Sequence, residues 1–156
     1  KLGVHPLYRA LRPDKMALVQ MDQVLRAHQT DRLEEIPLYA MLETPNDDLK
    51  RRADRLGRRL RKVGVPAHRC ATRATLGGGT TPDETLPSHG LELPGGQSLL
   101  DELRQGSPPV IGRIEDAQVL IDLRTVLPHQ DRLLVAETEA AYNRATDGHK
   151  RQAGGK

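Results

Sequence analysis

The chain has 156 residues, enough for one domain of ordinary size or slightly more. It has no Phe, no Trp and three Tyr within a hydrophobic fraction of 37%, so its core must be built from Leu, Val, Ile and Ala, and large aromatic contributions to stability are excluded. Lys and Arg number 24 against 21 Asp and Glu, a net charge of +3 that permits contact with nucleic acid without demanding it.

The first segment with chemical content is His5-Pro6-Leu7-Tyr8-Arg9-Ala10-Leu11-Arg12-Pro13-Asp14-Lys15. Arg9 and Arg12 are three positions apart, and on a helical turn such residues share a face. A guanidinium pair there suits the oxygens of a phosphate or carboxylate; the plainer alternative is two ordinary surface or structural ion pairs. Asp14 is predicted to cap a helix reaching His28, with Leu18, Met21 and Leu25 at helical spacing and Val24 beside them. Leu7 and Leu11 would extend that stripe backward. Thr30 to Pro37 reads as a connection, and Ile36 to Leu42 as a short helical turn packed on the core.

Thr44-Pro45-Asn46-Asp47 opens the next helix, with Thr44 as the cap and Pro45 in the first turn. Leu49, Ala53, Leu56, Leu60 and Val63 form one apolar stripe, and Gly64 closes it. The same helix is dense in cations, of which Arg51, Arg55, Arg58 and Lys62 follow one another on one face. That face is either simply solvated or tracks the phosphates of an RNA, a contact that would depend on salt and would not read sequence.

Val65 to Leu76 is predicted as a strand, broken by Gly77-Gly78-Gly79-Thr80, with a second strand at His89–Leu93. Ser98 to Arg104 reads as a short helix. Val110–Ile114 and Val119–Val126 read as strands joined by a tight turn at Glu115-Asp116-Ala117, with Val119, Ile121 and Leu123 on one face. A last helix runs from Pro128 to about Tyr142, and the polar residues from Arg144 onward are expected to be disordered. This order implies an α+β domain, a mixed or antiparallel sheet covered by helices on one face. The expected division is a linker helix region over 1–43, a small α+β domain over 44–143 and a disordered tail over 144–156.

The glycine run could cradle an anion with backbone N–H groups, but it lacks the helix start and Lys-Ser/Thr of a P-loop, and a flexible turn is the plainer reading. Cys70, the one cysteine, excludes an internal disulfide and fits a reducing compartment; a small buried or half-buried side chain is the plainer reading, a reactive thiol the alternative. Histidines 5, 28, 68, 89, 129 and 149 show no metal-ligand spacing, so no metal is expected. No apolar run approaches the ~18 residues of a membrane span, and no apolar signal core opens the chain, so no membrane partner and a cytoplasmic location are expected. Without an initiator Met, the chain reads as a piece of a longer protein.

Four stretches together resemble the C-terminal part of bacterial selenocysteine synthase, L-seryl-tRNA(Sec) selenium transferase. They are His5 through Lys15; Gly77-Gly78-Gly79-Thr80 through Glu84-Thr85-Leu86-Pro87-Ser88; Pro108-Pro109-Val110-Ile111-Gly112-Arg113-Ile114-Glu115-Asp116; and Leu120-Ile121-Asp122-Leu123-Arg124-Thr125-Val126-Leu127-Pro128. They occur in the family's order, and the similarity extends from His5 to about Tyr142.

The resemblance implies the small C-terminal domain of the aspartate-aminotransferase type of pyridoxal-phosphate fold. It implies conversion of seryl-tRNA(Sec) to selenocysteinyl-tRNA(Sec) with selenophosphate, pyridoxal 5′-phosphate as cofactor, and a cytoplasmic homo-oligomer built from dimers. The family's Schiff-base lysine precedes the His-Pro-Leu stretch, so no lysine here, Lys1 and Lys15 included, takes that role, and the chain alone would lack the chemical centre. Arg9 and Arg12 match positions that hold the donor anion near the cofactor, and Gly77, Gly78, Gly79 and Thr80 match a loop near the active site. Thr80-Thr81-Pro82-Asp83 departs from the family's Ser-Leu-Pro-Gly and adds a negative charge there.

Small-domain arginines of this fold often bind a substrate carboxylate, but in an aminoacyl-tRNA that group is esterified. Arg124 is therefore read as paired with Asp122 or Glu115, with contact to the tRNA end as the sharper alternative; Arg113 lies on the adjacent strand. Two rival functions stay open: another lyase of the same cofactor fold, and a noncatalytic RNA-binding or interaction module.

Overall fold

The structure is a computed structural model that describes residues 12–75 and 85–153. The chain divides into two compact units, 1–40 and 41–156. The first holds helix α1 (Lys15–Gln29) and a 3-10 turn at Leu33–Glu35, and α2 (Pro37–Glu43) carries the chain into the second. Asp14 caps α1 as predicted, its Oδ1 accepting from the Ala17 N–H at 2.8 Å. Only Ala27 of this helix is buried, while Met16, Leu18, Val19, Met21, Val24 and Leu25 are exposed. His28 and Tyr39 meet edge to face, with ring centroids 5.4 Å apart.

The second unit is an α+β layer. α3 (Asn46–Lys62), β1 (His68–Thr75), β2 (Thr85–Pro94), α4 (Gly96–Arg104), β3 (Arg113–Glu115), β4 (Gln118–Asp122) and α5 (Asp131–Ala153) follow in order. The four strands form one antiparallel sheet in the order β1-β2-β4-β3. Register pairs Leu91 with Ile121 and Leu93 with Val119, so four apolar side chains face the helices together. Leu49, Ala53, Leu56 and Leu60 of α3, Leu99, Leu100 and Leu103 of α4, and Leu134, Ala141 and Ala145 of α5 close over them. The core is aliphatic throughout, as the composition requires.

Two glycines are set by geometry. Gly64 has φ +84° and ends α3, which a side chain would strain. Gly90 lies where β2 approaches β4: a Cβ there would sit 2.5 Å from the Ile121 carbonyl oxygen. The β3–β4 turn is tight because Asp116 and Ala117 both take positive φ, 47° and 62°.

Three sequence expectations are corrected. The N-cap of α3 is Pro45, with no side-chain cap bond; Thr44 instead presents its carbonyl to Arg124. Val63 falls at the C-cap and is 40% exposed, so the stripe ends at Leu60. The last helix does not stop near Tyr142 but continues to Ala153. Ala145 is buried in the core, and Arg144 pairs with Glu102 of α4 at 2.6 Å, so packing carries the helix into the stretch expected to be disordered.

Candidate functional site

Arg12 is exposed and precedes α1, which begins at Lys15. Arg9 lies outside the described residues, so the spacing of the pair is a reading of the sequence alone. Gly77, Gly78, Gly79, Thr80 and Asp83 also lie outside them.

The basic face of α3 is present and turned from the core. Leu49, Arg52, Ala53, Leu56, Gly57 and Leu60 are buried on the inner side, and Arg51, Arg55, Arg58 and Lys62 are exposed. The four differ in commitment. Arg51 Nη2 pairs with Asp48 one turn earlier. Arg55 Nη2 reaches Asp131 Oδ2 at 3.0 Å. Arg58 and Lys62 have no acidic partner among the described residues, so the free positive charge gathers at the C-terminal half of the helix. Exposed ion pairs of this kind add little stability, and Arg51 could exchange Asp48 for a phosphate at small cost.

Two arginines that look alike in sequence are internal braces. Arg52 is 7% exposed; its Nε donates to Asp131 Oδ1 at 2.8 Å, and its remaining N–H groups meet the carbonyls of Leu123, Val126 and Leu127 at 3.0, 2.7 and 3.1 Å. Arg124, also 7% exposed, donates through Nη1 to the carbonyls of Met41, Leu42 and Thr44 and through Nη2 to that of Pro87, all within 3.1 Å. Its guanidinium thus pairs with neither Asp122 nor Glu115, and it faces protein carbonyls rather than an open surface. It sits in the 3-10 turn Leu123–Thr125, not on a strand, because Asp122 Oδ1 accepts the Arg124 backbone N–H at 2.9 Å and bends the chain. Glu115 pairs with Arg113 at 2.6 Å. Spacing puts Arg52 beside the apolar stripe, three positions after Leu49 and four before Leu56, but its partner lies 79 residues away and could not be read from the helix.

Cys70 is half-buried and free. Burial pushes its thiol pKa above the ordinary value, with Glu92, Glu115 and Asp122 adding repulsion and a backbone hydrogen bond from Gly90 partly opposing. No group of three or more His, Cys, Asp or Glu that could hold a metal ion exists among the described residues. Nor is any helix among them long and apolar enough to cross a membrane. Lys15, Lys50 and Lys62 are exposed on helices, so these lysines offer no enclosed site for a Schiff base.

The fold and the charged surface define a class: an α+β module with an aliphatic core, internal arginine braces and a basic outer helix. Comparison with known proteins identifies the family. The family model described as SelA: L-seryl-tRNA selenium transferase matches residues 1–127. The L-seryl-tRNA(Sec) selenium transferase of Moorella thermoacetica is 37% identical over 153 residues, 92% of this chain and 33% of the relative. Those of Carboxydothermus hydrogenoformans and Aquifex aeolicus are 34% and 32% identical, covering 83% and 88% of this chain and 29% and 31% of themselves. The chain belongs to the L-seryl-tRNA selenium transferase family, and it spans about a third of the length of these curated relatives.

Proposed function

We propose that this chain is the small C-terminal α+β domain, with its preceding linker helix, of an enzyme that converts L-seryl-tRNA(Sec) to L-selenocysteinyl-tRNA(Sec) with selenophosphate. In this reading residues 1–43 join a large cofactor domain of the aspartate-aminotransferase type, and the domain from residue 44 forms the scaffold beside the active site. The observation that carries it is the family match over residues 1–127, which includes the Arg9–Arg12 segment. Pyridoxal 5′-phosphate, held by the large domain, supplies the electron sink that serine chemistry needs. None of this chain's lysines is assigned to it.

The part this chain plays is electrostatic. Selenophosphate is a compact, multiply charged oxyanion, and Arg9 and Arg12 would neutralise and orient it. The basic face of α3, chiefly Arg58 and Lys62 with Arg51 and Arg55 beside them, would follow tRNA phosphates. Homo-oligomer assembly and a cytoplasmic location accompany the same reading.

Selenium transfer by the full-length enzyme carrying Arg9→Ala or Arg12→Ala tests it. Removing one charge-assisted hydrogen bond should raise the selenophosphate KM about 10- to 100-fold. An unchanged selenophosphate dependence in both variants removes the role given to the pair.

A further inference from the structure

We draw no further inference here: the strongest candidate, the exposed apolar face of α1 formed by Leu18, Met21, Val24 and Leu25, carries nothing because nothing in the structure shows what covers it.

Discussion

Arg52 and Asp131 are 79 residues apart in sequence and 2.8 Å apart in space, Nε to Oδ1, both nearly buried. This pair ties the first half of α3 to the first residue of α5, and the same guanidinium collects three carbonyls of the segment that leads into α5. Burying two charges is costly, and the arrangement holds because nearly every polar atom finds a partner.

Removing one partner leaves the other stranded. Arg52→Ala should destabilise the protein by about 3–5 kcal/mol, the usual cost of an uncompensated buried charge. Arg52→Lys should recover little, since an ammonium cannot span the same carbonyls. Denaturant unfolding checks both, and Arg55→Ala, whose side chain is 48% exposed, should cost well under 1 kcal/mol.

Arg124→Gln should lower stability by about 2–4 kcal/mol, because the carbonyls of Met41, Leu42, Thr44 and Pro87 lose a charged donor. The fully folded fraction of this variant should bind RNA as the parent does. A selective loss of RNA affinity at unchanged stability would contradict the bracing role.

On the outer face of α3, Arg58→Ala with Lys62→Ala should weaken RNA binding evenly across sequences. The slope of log affinity against log salt should fall by about 0.7–0.9 for each phosphate that is no longer neutralised. Arg55→Ala should change it less, since Asp131 already holds that side chain. A double variant with an unaltered salt slope would leave the face merely solvated.

Cys70 should alkylate slowly at neutral pH. A thiol pushed up by burial holds less thiolate at any given pH, so the rate should keep climbing with pH beyond the range where a free thiol has levelled off. Glu92→Gln removes one repulsive charge and should shift the profile toward lower pH. Iodoacetamide kinetics across pH measure both.

Gly90→Ala should disrupt the pairing of β2 with β4, because the added methyl would meet the Ile121 carbonyl at 2.5 Å and backbone must move. Loss of at least about 2 kcal/mol in thermal or denaturant unfolding is expected.

Local rules were enough to read much of this protein from its amino acids. Asp14 as a cap, the Leu49–Leu60 stripe, Gly64 as a stop, the tight turn at Asp116–Ala117, the α+β class and the family's motifs all follow from neighbours within a few positions, where spacing sets geometry. Only the tertiary structure could show what Arg52 and Arg124 meet, carry α5 through Arg144 to Ala153, and order the strands β1-β2-β4-β3. Those outcomes depend on partners tens of residues away. A guanidinium reads the same in sequence whether it meets water, a carboxylate or a row of carbonyls, and only the folded chain decides which of these surrounds it.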